Sequence, residues 1–263
     1  MLTLTSTEMH TWIAALLWPL TRILGMIAAA PLYGNNSVPI SAKIILGVLI
    51  ALILAPAIPA MQADLMSLAG LLIVIQELLI GAAIGFSMRI VFAAVEMAGR
   101  SGQPDHGPRF RQRVRPANAG RSSAVSQFLA LVATMAFLSV NGHLVLLEVL
   151  AESFVTLPVS ATPISAAAPY ALVKWGGVIF SVGLQLCLPI VAALLITNVA
   201  LGILTRAAPQ LNIFGIGFPI SLGVGILVIS MALPYLSVPL QNLFNQGIEA
   251  ARSVPRSAAQ RTL

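Results

Sequence analysis

Unbroken apolar runs constrain this chain more than any other feature. They extend over Trp12 to Leu32, Ile44 to Met61, Leu68 to Val95, Val125 to Leu147, Leu172 to Leu204 and Ile213 to Leu236, each near or above the ~20 residues that cross a bilayer as a helix. Away from water every backbone N–H and C=O must be satisfied internally, which only helices and closed barrels achieve. These runs are continuous and do not alternate in polarity as barrel strands do. The expectation is an all-α, polytopic membrane-type protein of about six hydrophobic segments. Composition excludes the soluble alternative: 58% hydrophobic against 8% charged residues, with mean hydropathy +0.96, is not the make-up of a water-soluble fold. The first run is read as a retained span, because Glu8 stands where a cleavable leader would be basic and the apolar residues continue past Ala28-Ala29-Ala30.

Between and inside the runs, local signals set the turns. Arg22 lies in the first run, which breaks at Pro31, and Tyr33 to Ser37 reads as a tight turn before Val38-Pro39 and Lys43 open the next helix. Asn35-Asn36-Ser37 matches a glycosylation sequon, but the turn is the stronger reading of so short a pattern. The second run leaves through Pro56 and Pro59, and Asp64 precedes the third, which is too long for one perpendicular crossing and must tilt, bend or leave the membrane. Within it Gly81 and Gly85 form a small-xxx-small pair that lets another helix approach closely. Glu77, Arg89 and Glu96 are ionisable groups at apolar depth. Such groups face protein or a water path rather than lipid, and a static contact between subunits is an equal reading.

Further along, a helix ends at Asn141-Gly142-His143, followed by Glu148 and Glu152. The histidine and carboxylates do not share one face at that spacing, so an interfacial polar cap is preferred over a metal or proton site. Leu157 to Pro169 reads as a loop, and Lys174-Trp175 as an interfacial anchor. The fifth run is expected to kink at Pro189 and offers Gln185, Thr197 and Asn198 for interhelical hydrogen bonds. Gly217, Gly223, Gly225 and Pro234 make the sixth closely packable. The tail from Gln241 carries Arg252, Arg256 and Arg261, with Asn242, Leu243, Phe244 and Ile248 forming an amphipathic patch for a membrane surface or a partner. Cys187, flanked by leucines, reads as a buried and inert thiol. There is no phosphate-binding loop, CxxC or His-Glu metal helix, so no enzyme, cofactor or metal site is expected.

Asn198 to Ile220, NVALGILTRAAPQLNIFGIGFPI, encodes a helix, a charged reversal and a second helix. Arg206 can reach an interface while its stem stays in hydrocarbon, and Pro209 cannot continue the helix before it. This string resembles the signature of the FliR/SctT family of type III secretion export-gate proteins, in its flagellar form. RILGMIAAAPLYGNNSVP from Arg22, QELLIGAAIGF from Gln76 and FLSVNGHLVLLEVLAESF from Phe137 resemble the same family. The resemblance implies signature-turn and subunit-packing roles for Arg206, Pro209, Gln210, Asn212, Phe214, Gly217 and Pro219, and would make Glu77 and Arg89 subunit contacts. It also implies FliP-like helices followed by a FliQ-like hairpin, packed in a hollow cone raised toward the periplasm, so that apolar runs need not all be membrane crossings.

Residues 100–121, RSGQPDHGPRFRQRVRPANAGR, interrupt the resemblance. Arg100, Arg109, Arg111, Arg113, Arg115 and Arg121 against Asp105 carry five of the chain's six net positive charges. Taken as written this is a disordered loop for anionic headgroups, and with Phe110 as its one aromatic it is no nucleic-acid platform. The genetic code supplies another hypothesis. Read one nucleotide later from Gly102, with CGN arginine codons, the implied bases permit Met-Gly-Leu-Gly-Phe-Ala-Ser-Val-Phe-Asp-Pro-Gln-Thr, which resembles the family's plug loop. On this reading the segment is an out-of-frame translation entered near Gly99 to Gly102 and left near Gly120. The plug loop is expected within Ser101 to Gly120, where its motif is absent.

The domain expectation is therefore residues 1–99 as FliP-like helices, 100–121 as the anomalous segment, 122–171 as a central helix and loop, 172–240 as the FliQ-like hairpin and 241–263 as the tail. The resemblance implies a non-enzymatic subunit of the flagellar export gate in the bacterial inner membrane and flagellar basal body. Implied partners are FliP- and FliQ-like subunits, FlhA- and FlhB-like export proteins, unfolded flagellar substrates and membrane lipid, with no nucleic acid. A virulence-type gate subunit and a small-solute permease are the alternatives; a permease would show an internal repeat, and none is found. Counting positive charges leaves the orientation open.

Overall fold

The computed structural model describes residues 6–58, 67–101, 124–160, 163, 165, 167–207, 223–224, 226–228, 230–231 and 233–259. The described residues are built from helices, with no strand among them, as apolar runs require when the backbone must satisfy itself. α1 spans Ser6–Ala29 and ends just before Pro31. In the turn after it the Ser37 N–H donates to the Asn35 side-chain oxygen at 2.9 Å, an Asx turn that holds the reversal. Pro39, extended at φ −56° and ψ 143°, then caps α2, Ile40–Leu54. A 3-10 turn over Ala55–Ala57 closes α2 where Pro56 removes a donor. At 15 residues α2 is about 22 Å long, short of a bilayer crossing.

α3 is a single helix of 34 residues, Leu68–Ser101, opened by the Ser67 hydroxyl accepting the Gly70 N–H at 3.0 Å. Asp64 lies outside the described residues. The fourth apolar run is not one helix: α4, Ala124–Ser139, and α5, Gly142–Thr156, meet at Asn141, whose φ of 56° is left-handed. Asparagine tolerates that region better than a branched apolar residue would. The fifth run likewise divides at Gly177 into α6, Ala167–Gly176, and α7, Val178–Ala207. After a 3-10 turn at Leu233–Leu236, α8 runs over Ser237–Ala259. Among the described residues, Leu68–Gly99 and Ala167–Leu188 are long and apolar enough to cross a membrane, while Leu16–Ala29 and Ile40–Leu54 are shorter apolar helices.

The chain clusters into two compact units, residues 1–91, 137–177 and 243–263 in the first and residues 92–136 and 178–242 in the second. The first contains α1, α2, most of α3, α5, α6 and most of α8. The amphipathic patch expected on a membrane surface or a partner packs, in α8, within this unit: Leu243, Phe244 and Ile248 are buried, the Phe244 ring meets Phe137 edge-on at 5.3 Å, and Gly247 faces Met88 and Val91. In the second unit the C-terminal turns of α3 approach α4, where the Ser126 hydroxyl donates to the Glu96 carbonyl at 3.1 Å beside Gly99. There Gly183 of α7 also lies against Ala94 and Met97. Cys187 is buried.

Candidate functional site

The first unit is organised around a charge that apolar sequence cannot hold without a partner. Arg22, on α1, is fully buried, and so is Glu77, on α3. A guanidinium has five N–H donors in a fixed fork, and here every one is used. Nε donates to one Glu77 carboxylate oxygen at 2.6 Å, and one terminal nitrogen donates to the other at 2.9 Å. That second nitrogen also donates to the Leu157 carbonyl at 3.0 Å, while its twin reaches the Ser153 carbonyl at 2.9 Å and the Ser153 hydroxyl at 3.1 Å. The Ser153 hydroxyl in turn donates to the Leu150 carbonyl at 2.6 Å. The Phe154 ring covers the guanidinium carbon at 4.3 Å, a cation–π contact in a desolvated setting.

Glycines bring the two backbones to this distance. A Cβ on Gly81 would overlap the Arg22 carbonyl oxygen, one on Gly85 would crowd Met26 and Ala30, and one on Gly25 would strike the Leu78 carbonyl. α1 and α3 therefore touch backbone to backbone, and one turn before Gly81 stands Glu77. The geometry can lock three helices in one register, because Ser153, Phe154 and Leu157 tie the end of α5 to the α1–α3 pair. It holds no acid, base or nucleophile aimed at open space.

The other sequence-singled residues lie elsewhere. Glu77 takes its partner, Arg22, from this same chain. Arg89 is exposed on α3, and Glu96 is half-buried. Arg206 is exposed in the last turn of α7, where a cation complements the helix C-terminus. Pro209, Gln210, Asn212, Phe214, Gly217 and Pro219 fall outside the described residues, as does the plug-loop stretch beyond Ser101. Glu148 and Glu152 turn toward Arg252 of α8, at 3.9 and 3.3 Å, with Glu249 at 3.4 Å. These are exposed ion pairs, worth little each. The His143 carbonyl accepts the Tyr33 hydroxyl at 3.1 Å, and burial pushes the Tyr33 phenol up from its ordinary value. Among the described residues no three ligands gather for a metal.

Sequence reasoning passed over Arg22 as a partner, and with it Ser153 and Phe154. The available signal was the rule that opposite charges inside apolar runs find each other. A second signal is positional: Arg22, Glu77, and Ser153-Phe154 belong to three of the four strings that carry the family resemblance. Comparison with known proteins extends that resemblance over nearly the whole chain. Residues 13–247 match the family described as bacterial export proteins, family 1. The chain is similar to the flagellar biosynthetic protein FliR of Pectobacterium carotovorum subsp. carotovorum, 42% identical over 246 residues that cover 94% of each chain. It is 39% identical to that of Escherichia coli (strain K12) over 94% of each. Against that of Bacillus subtilis (strain 168) it is 28% identical, over 89% of this chain and 91% of the relative.

Proposed function

Because the chain belongs to the FliR flagellar biosynthetic proteins within bacterial export proteins, family 1, and is therefore a membrane component of the flagellar export apparatus, we propose that it is a non-enzymatic subunit of the flagellar type III secretion gate. In this reading it assembles with FliP- and FliQ-like proteins into the inner-membrane pore of the basal body. Unfolded flagellar proteins pass through that pore, and FlhA- and FlhB-like proteins stand beside it. The carrying observation is the 42% identity spread over 94% of the chain. The register lock at Arg22 and Glu77 supports a structural role, since it fixes helices and presents no reacting group.

Residues 172–240 then supply the FliQ-like hairpin, with Arg206, Pro209, Gln210 and Asn212 at its tip and Phe214, Gly217 and Pro219 packing its second arm. Gly81 and Gly85 serve helix packing, and the plug belongs within Ser101 to Gly120. The test is co-purification: the tagged chain, expressed with the export genes of its host and solubilised in mild detergent, should carry FliP- and FliQ-like proteins in fixed ratio. Isolation of the chain alone, with the partners present in the same membranes, would sink the reading in favour of an independent permease.

A further inference from the structure

An apolar cavity of about 500 Å³ opens in the first unit beside the α1–α3 contact. Its hollow comes from alanines set where four helices face one another: Ala29 on α1, Ala82 and Ala83 on α3, Ala168 on α6 and Ala258 on α8. Ser165 is the polar residue among its walls, and the Ser165 hydroxyl already accepts the Ala167 N–H at 3.3 Å. The volume falls within the roughly 300–1,000 Å³ of small-molecule sites. A helix about 10–12 Å across with its side chains would exhaust it in about one turn, whereas a hydrocarbon chain suits its volume and its lack of polar anchors.

Phe86 and Leu172 line the cavity, and one turn further along their helices come Arg89 and Trp175. The Trp175 indole N–H donates to the Ser87 carbonyl at 3.1 Å, which sets the two helices side by side at this level. Arg89 is exposed and makes no ion pair with a described residue. Indoles and guanidinium groups are side chains that reside at membrane interfaces.

We propose that this cavity holds an acyl chain of an anionic membrane phospholipid whose phosphate meets Arg89. The apolar walls bind any such chain, and the guanidinium selects the headgroup. The inference depends on the chain's membrane location, and not on which export subunits it meets.

The test uses the full chain in detergent, washed free of lipid, with Trp12→Phe and Trp18→Phe so that Trp175 reports alone. Phosphatidylglycerol or phosphatidylcholine with the same brominated acyl chains is added, and quenching of Trp175 fluorescence is read. The expected result is phosphatidylglycerol binding about fivefold tighter, the factor one arginine gains at an anionic surface. Arg89→Gln should bring the two lipids level. Ala83→Phe, or Ala168→Met should the first fail to keep its helical circular dichroism, should weaken both. Equal binding by the unmodified chain, or a headgroup preference that survives Arg89→Gln, overturns the proposal. So does quenching untouched by both filled variants, and if those variants instead lose co-purifying export subunits, the cavity belongs to a protein partner.

Discussion

Arg22 shows how one side chain can be costly and indispensable together. Taking two charges out of water costs several kcal/mol per ion, and only good geometry with full hydrogen bonding offsets it. The site has both: five donors with five acceptors and an aromatic face. Removing one partner strands the other, so Arg22→Met or Glu77→Leu alone should destabilise the chain by about 3–5 kcal/mol. Thermal unfolding in detergent should register this as a fall on the order of ten degrees. The double variant Arg22→Met with Glu77→Leu leaves no buried charge and should recover most of the loss. A double variant no more stable than either single one would show that the pair does not govern this core. Arg22→Lys should not substitute, since an ammonium keeps the charge but lacks the fork that reaches Glu77, Ser153 and Leu157 together.

At the scale of elements, glycine carries opposite meanings in two helices. Gly81 lies against the backbone of α1, and Gly202 of α7 has nothing within 4 Å of where a Cβ would stand. Gly81→Ala forces α1 and α3 apart and should cost ~1–3 kcal/mol. Gly202→Ala removes backbone freedom from an exposed helix interior and should stabilise the isolated chain by ~0.5–1 kcal/mol. Unfolding midpoints of the two variants, compared side by side, would refute this account if they moved in the same direction. The break between α4 and α5 obeys the same steric logic. A Cβ at Gly142 would enter the Phe137 ring, and Asn141 takes the left-handed conformation before it, so the apolar run divides where a small residue follows one that accepts positive φ.

For the whole molecule the decisive segment is 100–121. Family membership spans residues 13–247, yet five of six net positive charges lie in a stretch whose motif does not match a plug. If the reading-frame hypothesis holds, fresh DNA sequence over the codons for Glu96 to Ser126 will show a compensating pair of single-base changes relative to this translation. Under the proposed gate role, a protein made as written should fail to seal the pore. Expressed in a strain lacking its own FliR, it should leave swimming motility unrestored or leak ions, while the frame-restored gene should restore motility. Normal export with no leak from the unaltered sequence would remove the plug-loss idea.

The sequence by itself determined that the chain is helical and membranous, because apolar runs of that length admit few other backbones. It also set the turns at Pro31, Pro39, Pro56 and Asn141, whose signals are local and act within a few residues of themselves. The family was legible from four short strings. What only the tertiary structure decided is which groups meet. Arg22 and Glu77 stand 55 residues apart and Arg22 and Ser153 131 apart, and no periodicity links such positions. The tail's Leu243 and Phe244 read for a membrane surface or a partner, because hydrophobic burial is non-directional and takes whatever apolar face packs against it; in the folded chain that face includes the ring of Phe137.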